Sequence, residues 1–433
     1  MPYSIPKRLQ DSILSYVKKT YMPERRVNPK TADEFTNHDV KFFARGVAEM
    51  SAYFTSERAH LPKNYLNKKE LRAGYLLYFV PSNFLKVIYC LEQAHACERF
   101  KELAQVNILD IGSGPGTASL ACAHYWAHLW SVESHSRGVE IVAVDQNTSA
   151  LHDAKHIFNN YVGAALSGRP NREGTEPLPY RFKTVYALLN HKNISRSIRG
   201  KFNIIIAANL ISEFKDNQER VAFLESVMEN LLEDNGIIIV IEPALRWTTR
   251  NLMKVRDELL SYTPLSLTLP HACPPTGQWR EGGGKREGVT VLAPCLHIAP
   301  CPMLKESDRD WCHMYLDWKC PEVIAKIDAL IGNRKEYLKF SYLILSKGQN
   351  PPSPPFTKGG SGGDLFRIVS APMYSKGKTE LLLCGHGRLL HVTRQDKNAS
   401  PNNADFDCTK RGDMVRYDGA ADIGKGNNFQ LVS

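Results

Sequence analysis

The stretch that decides the fold is ILDIGSGPGTASL, residues 108–120. An apolar strand runs into Asp110 and Ile111. Gly112, Gly114 and Gly116 then form a tight turn, and a helix is expected to begin near Thr117. Only glycine lets the backbone come this close to a ligand with unrestricted φ. The spacing is GxGxG. Thr117 stands where the dinucleotide fingerprint continues, so that fingerprint is incomplete. Pro115 stiffens the loop. Further on, VAVDQN (142–147) puts Asp145 at the tip of a second strand. A carboxylate there can accept charge-assisted hydrogen bonds from both hydroxyls of a ribose. Asp110 and Asp145 lie further apart than this arrangement usually has them, and His124 to Arg137 supplies the extra helix and loop. Strand, glycine turn, helix and second-strand acid in this order predict a nucleoside-type pocket. The plain alternative is a structural glycine turn.

Outward from the loop the pattern alternates. Val106 to Ile111, Glu140 to Val144, Phe182 to Leu188, Phe202 to Ala208 and Ile237 to Ile241 read as short buried strands with helical segments between them. Such βα alternation predicts a doubly wound parallel sheet. Val289 to Ala293 and Phe340 to Leu345 are two further strands. Upstream, apolar residues recur at helical spacing in Ile5 to Tyr21, His38 to Phe54 and Leu66 to Phe100, with Pro81 breaking or kinking the last. Downstream, 348–364 is rich in Pro, Gly and Ser and reads as a flexible linker. Phe366 to Val369, Leu381 to Cys384 and Leu389 to Thr393 are strands of a small tail. The expected organisation is a basic helical region at 1–100, an α/β domain at 101–347 with a cysteine-rich insertion at about 270–320, the linker, and a β-rich extension at 365–433.

The 433 residues allow two or three domains. Hydrophobic residues at 43% and charged ones at 23% exclude wholesale disorder, collagen and coiled coil. The apolar runs, such as Gly74 to Val80 and Gly236 to Ile241, are too short to span a bilayer. No apolar segment follows the start, so no secretory signal is expected. The net charge of +10 suits nucleic acid or another anionic surface. Lys7, Arg8, Lys18, Lys19, Arg25, Arg26 and Lys30 crowd the beginning, either as phosphate contacts or as a solvated helix face.

Ten cysteines without a signal argue against a disulfide scaffold. Cys90, Cys97 and Cys122 sit among apolar residues and are expected in the core. LAPCLHIAPCPMLKESDRDWCHM (292–314) is different. Cys295, Cys301 and Cys312 are separated by five and ten residues. Soft thiolates this close favour zinc or an iron–sulfur cluster. The tight knuckles of zinc ribbons are missing, but Pro294, Pro300 and Pro302 stiffen the loop enough for the sulfurs to converge. Cys384, in the tail's LLLCGHGRL, is the preferred fourth ligand. Cys320, Cys273, Cys408, His297 and His313 compete with it.

Residues from roughly 100 to 347 resemble the class I S-adenosylmethionine-dependent methyltransferases. That resemblance implies a Rossmann-like seven-stranded sheet whose last strand, Phe340 to Leu345, is antiparallel. It implies a cofactor set of Asp110, Gly112, Gly114, Gly116, Asp145 and Asn209. The glycine loop would face the amino-acid part of the cofactor and Asp145 the ribose. In AANLISEF (207–214), Asn209 and Glu213 fall where the superfamily places residues near the methyl group, so they are the catalytic candidates; turn and cap chemistry is the alternative. An Asn-Pro-Pro-Tyr motif is missing, as is a convincing Pro-Cys nucleophile. Glu242 and Pro243 are expected to form the turn after the fifth strand.

The APCxxxxPCP…DWCH string, KFSYLILSKG and LLLCGxGRL…TKRGDMVRYDGA, with AGYLLYFVPSNFLKVIYCL upstream, together resemble the methyltransferase-like proteins of the small ribosomal subunit, the Rsm type of mitochondria with bacterial and archaeal relatives. The likeness spans about 70–433. It implies a 4Fe–4S cluster on Cys295, Cys301, Cys312 and Cys384, with zinc as the alternative, and binding to small-subunit rRNA during ribosome assembly. Leu296 and Ile298 depart from the common string, and the linker looks inserted. Neither membrane nor DNA is an expected partner. The location implied is the mitochondrial matrix for a eukaryotic chain and the cytoplasm for a bacterial one. The functions left are an rRNA methyltransferase, a non-catalytic assembly factor that keeps the cofactor fold, and, disfavoured by Thr117, a dinucleotide enzyme.

Overall fold

The computed structural model describes residues 2–26, 29–31, 34–55, 62, 64–96, 105–133, 138–163, 180–190, 193–261, 288–347 and 363–432. Cys97 and Cys273, nearly all of the expected linker, and the side chain of Arg25 lie outside the described residues.

The helices are α1 (Lys7–Tyr21), α2 (Asn37–Thr55), α3 (Lys69–Gly74), α4 (Val80–His95), α5 (Thr117–Glu133), α6 (Thr148–Phe158), α7 (Asn217–Leu231), α8 (Arg246–Ser261) and α9 (Glu322–Ile331), besides shorter turns. The main sheet contains β1 (Gln105–Ile111), β2 (Gly138–Asp145), β3 (Tyr180–Tyr186), β4 (Phe202–Ala208), β5 (Leu232–Pro243), β6 (Val289–Ala293), β7 (Met314–Asp317) and β8 (Tyr337–Lys347). Their order is β3-β2-β1-β4-β5-β8-β6, with β7 also on β8. The first five are parallel, and β8 is antiparallel to β5. The sheet therefore has eight strands, where seven were expected. The extra one, β7, pairs with residues 337–340 of β8, while β6 pairs with residues 344–347. Strand β8 is long enough to carry both end to end, and a four-residue strand inside a cysteine loop leaves little trace in apolar patterning.

The period of two along each strand divides the core. Val106, Ile108, Ile204, Ile237 and Ile239 face one layer with α1, α4 and α5, whereas Leu109, Ile111, Ile205, Ile238 and Val240 face the other with α7 and α8. This is how a parallel sheet buries both faces. Helix α1 joins the first layer through Leu9, Ile13 and Val17, spaced one turn apart and at most 1% exposed. Each such side chain contributes roughly 1.5–3 kcal/mol. Cys90 and Cys122 are core residues at 0% exposure.

Two strand ends differ from expectation. Strand β3 lies two residues earlier, because its ladder with β2 closes at the pair Asp145–Tyr186. Leu188 is left half exposed. Strand β5 extends through Pro243, so Glu242 is paired with Ser341 in the ladder and is not in a turn. Pro81 does not break its helix. The chain widens into a π-turn at Tyr75–Phe79, with the amide of Val80 bonding Tyr75, immediately before the proline. An i→i+5 turn accommodates the ring and the missing donor. The combined run Lys69–His95 is long and apolar enough to cross a membrane, but 78% of its most apolar window is buried inside the protein.

The tail forms a second sheet from β9 (Asp364–Ile368), β10 (Met373–Ser375), β11 (Lys378–Gly385), β12 (Arg388–Gln395), β13 (Met414–Tyr417), β14 (Asp422–Ile423) and β15 (Phe429–Val432), in the order β14-β12-β11-β9-β13-β15 with β10 on β11. Phe366, Phe406, Val415, Tyr417 and Phe429 fill its own core.

Candidate functional site

A cleft opens at the carboxyl ends of β1, β2 and β4, where the strand order reverses, with about 580 Å³ of space. Crevices at such switch points are where doubly wound sheets receive ligands. Gly112, Gly114, Asp145, Asn209 and Glu213 line it. Gly112 and Gly114 have φ of +68° and +50°, the left-handed region that glycine tolerates best. The amides of Gly112 and Ser113 both donate to the carbonyl of Val144, at 2.8 and 3.0 Å, which fixes the loop over β2. Asp145 then accepts from the amides of Gly114 (2.8 Å) and Asn147 (2.7 Å) through different oxygens. Burial raises its pKa, and these backbone donors oppose the rise.

Asp110 and Gly116, both expected at the cofactor, are not in the lining. Asp110 is 1% exposed and accepts from the amide and hydroxyl of Ser119 at 2.9 and 2.7 Å, holding the first turn of α5 against β1. Gly116, at φ +79°, has Ala154 of α6 so close that a Cβ would sit 2.9 Å from its methyl. Its lack of a side chain serves packing.

Asn209 also has positive φ, +59°, and its amide donates to Ile241 at 2.7 Å. Asparagine is among the few side chains that enter this region readily. The turn it starts carries Glu213 to the rim. Beneath it, buried Glu242 accepts from the amide of Ser212 at 3.3 Å.

Spacing did not reveal that Asn64, Tyr65 and Leu66 from the helical region, with Tyr75, also line the cleft. Arg72 holds them there. Its Nη1 donates to the carbonyls of Leu66 (2.7 Å) and Asn67 (3.2 Å), while its Nε pairs with Asp153 of α6 at 3.0 Å. The amide side chain of Asn147 reaches Asn67 at 2.8 Å. Only the Asn147 cap of α6, on the amide of Ala150, had a readable signal, in the Asp-x-Asn after β2.

The cysteine loop and the tail meet at a second cavity, lined by Cys295, Cys301, Cys312 and Cys384 together with Arg256 and His297. Burial, then the neighbouring Cys295, pushes the Cys301 thiol up to about 11 and Cys312 up to about 12, and it raises Cys384 as well. Binding a cation would displace the protons of these three thiols. Among the described residues no group of three or more histidine, cysteine, aspartate or glutamate side chains is gathered closely enough to hold a metal ion. The sulfurs surround a volume and do not meet at a point. Of the competing ligands, His297 Nε2 lies 3.7 Å from Cys384 Sγ. His313 stacks on Trp311 and lines an adjoining cavity. Cys320 lies elsewhere, its thiol 3.7 Å from the carbonyl of Pro321, and Cys408 is exposed.

The basic beginning of the chain divides. Lys18 is buried, paired with Asp39 at 2.9 Å and bonded to the carbonyl of Thr31 at 2.7 Å, so it is structural. Arg26 and Lys30 are exposed.

A family model described as mitochondrial small ribosomal subunit Rsm22 matches residues 69–414. No curated protein matches. Among solved structures, a candidate class I S-adenosylmethionine-dependent methyltransferase from Listeria monocytogenes is 12% identical, covers 80% of this chain and 90% of its own, and has a TM-score of 0.36. A candidate RNA methyltransferase from Pyrococcus horikoshii is 12% identical, covers 71% and 98%, with a TM-score of 0.32. Precorrin-6y C5,15-methyltransferase from Geobacter metallireducens is 11% identical, covers 60% and 87%, with a TM-score of 0.30.

Proposed function

The chain belongs to the mitochondrial small ribosomal subunit Rsm22 family, and from that premise we propose that it binds S-adenosylmethionine in the cleft, holds a 4Fe–4S cluster on Cys295, Cys301, Cys312 and Cys384, and works on the rRNA of the small ribosomal subunit or in its assembly. One observation carries the cofactor reading: Gly112, Gly114, Asp145 and Asn209 line a single cleft at the carboxyl ends of parallel strands. Bound S-adenosylmethionine supplies a methyl group on a sulfonium. The chain's part is to orient it. Gly112 and Gly114 bring backbone to the ligand without a Cβ in the way, and the carboxylate of Asp145 in the cleft wall suits ribose hydroxyls. Asn64, Tyr65 and Leu66 narrow the entrance.

The donor set at the second cavity supports a cluster. Four cysteines line one cavity, and cysteine sulfur is the usual ligand of a 4Fe–4S core. Zinc would ask the same sulfurs to close on one tetrahedral point. The net charge of +10 suits rRNA phosphate. The location that follows is the mitochondrial matrix in a eukaryote and the cytoplasm in a bacterium.

A specific observation favours the assembly-factor form. Among the described residues lining the cleft there is no lysine, arginine, histidine or cysteine, and the only carboxylates are Asp145, already tied to two amides, and Glu213. Few groups are at hand to activate an acceptor.

Calorimetry with S-adenosylmethionine tests the cleft. Binding is expected in the wild type, with at least a tenfold loss of affinity in Asp145→Ala. A wild type that takes up none would end the proposal. Transfer of labelled methyl to purified small-subunit rRNA then separates enzyme from assembly factor.

A further inference from the structure

Two buried arginines approach the thiol cavity, one from helix α8 and one from the tail sheet. Arg256, on α8, is 1% exposed. Its Nη atoms donate to the carbonyls of His297 (2.5 Å) and Ala299 (2.7 Å) and to Asp257 (2.5 Å), which itself accepts from the amide of Cys301 at 2.9 Å. Its Nε, fully buried, has no hydrogen-bond partner. Arg367, on β9 of the tail, is 7% exposed. Its Nη1 donates to the carbonyl of Gly412 at 2.9 Å, and its Nε too is buried without a partner. Arg367 is the ladder partner of Cys384. It lines the adjoining cavity, which shares Pro294, Cys312, Tyr342 and Val369 with the first.

A buried guanidinium N–H left unpaired is costly, and an unpaired buried charge more so. Two such N–H groups, one on Arg256, which lines the cavity of the four thiols and whose charge already meets Asp257, the other on Arg367, which lines the adjoining cavity with Cys312 and faces Cys384 across the ladder, call for an anion between them. The thiols are neutral when protonated. They become that anion once ionised around iron.

We propose that Arg256 and Arg367 are the charge-compensating donors of the thiolate-bound cluster, each giving its Nε–H to a cluster or cysteine sulfur. The inference rests on reading the cavity as a 4Fe–4S site. Four thiolates on an oxidised core leave a double negative charge, and one added electron makes it triple. Positive charge and hydrogen bonds at the sulfurs favour the reduced form and raise the potential. Since one donor comes from α8 beside the main sheet and the other from the tail, the potential depends on the two parts being docked.

The test is a dithionite titration of the anaerobically purified full chain, followed by electron paramagnetic resonance. Arg367→Gln is expected to shift the midpoint to more negative potential by at least 59 mV, a tenfold change in the one-electron equilibrium. Arg367→Lys keeps the charge and loses the Nε donor, so it should shift the midpoint in the same direction but less. Arg256→Lys should also shift it downward. Loss of a structural role alone would change cluster content, not the midpoint of the clusters that remain. Midpoints equal to wild type in all three variants overturn the inference and leave the cluster reading standing. A wild type without iron and sulfide overturns both. If Arg367→Gln retains no cluster, Arg367→Lys decides: a negative shift supports the proposal and an unchanged midpoint ends it.

Discussion

Burial pushes the Asp110 carboxyl up from 3.8 to about 6, although two hydrogen bonds from Ser119 pull the other way. The folded protein therefore holds this proton more tightly than the unfolded chain does. Its contribution to stability is full below the unfolded value, declines as pH rises between about 4 and 6, and is gone above that. A shift of about two units corresponds to roughly 3 kcal/mol. Asp110→Asn should remove this pH dependence. Urea unfolding of both proteins from pH 4 to 7 checks it. The wild type should lose about 1–3 kcal/mol relative to the variant across that range. A constant difference would mean that burial does not govern this carboxyl. The neighbouring glycines divide their work in the same local way. Gly114 leaves room for a ligand, with Leu66 as the nearest neighbour of a notional Cβ at 3.8 Å, whereas Gly116 leaves room for Ala154.

Arg72 joins several elements at once. Its guanidinium, 7% exposed, ties α3 to the segment above the cleft and to Asp153 on α6. Asp153 also accepts from Tyr16 (2.7 Å) and Tyr21 (2.5 Å) at the end of α1. Truncating one partner of such a buried pair leaves the other uncompensated, at a cost of about 3–5 kcal/mol. Arg72→Met should lower stability toward urea by about that amount. It should also weaken S-adenosylmethionine binding, since Asn64 to Leu66 lose their anchor. A stability loss below about 1 kcal/mol would show that the two tyrosines alone satisfy Asp153. The π-turn at Tyr75–Phe79 works at this scale too, carrying one helix past Pro81 and setting Tyr75 in the cleft wall.

The main sheet and the tail meet at a small apolar cluster that includes cysteines of both. Cys301, Cys312 and Cys384 lie in one small apolar cluster with Met253, Met303, Val369 and Leu389. Around it, Arg411 of the tail donates to the carbonyls of His313 and Val369 and lies over the ring of Tyr315, 4.9 Å from its centroid. The apolar contact is modest, so a cluster shared by three cysteines of one part and one of the other would supply much of the docking free energy. Cys384→Ser should lose the absorption near 400 nm expected of the cluster and make residues 363–432 more sensitive to limited proteolysis. A tail as resistant as that of the wild type would remove the staple. The small tail core of Phe366, Tyr417 and Phe429 would then be enough to hold it.

The parallel strands, the glycine turn and Asp145 were legible in the residues themselves. A strand buried on both faces must be apolar throughout, and a backbone that turns left-handed beside a ligand must be glycine or nearly so; both demands are local. That Cys295, Cys301, Cys312 and Cys384 would line one place was legible too, since three of them lie close together in a loop that Pro294, Pro300 and Pro302 stiffen. Strand β7, the wall formed by Asn64 to Leu66, the retreat of Asp110 behind the cleft, and the unpartnered Nε atoms of Arg256 and Arg367 were decided in three dimensions. Each depends on a packing partner that the local pattern does not name. No periodicity records which carbonyl a buried guanidinium will find, or which of its N–H groups will find none.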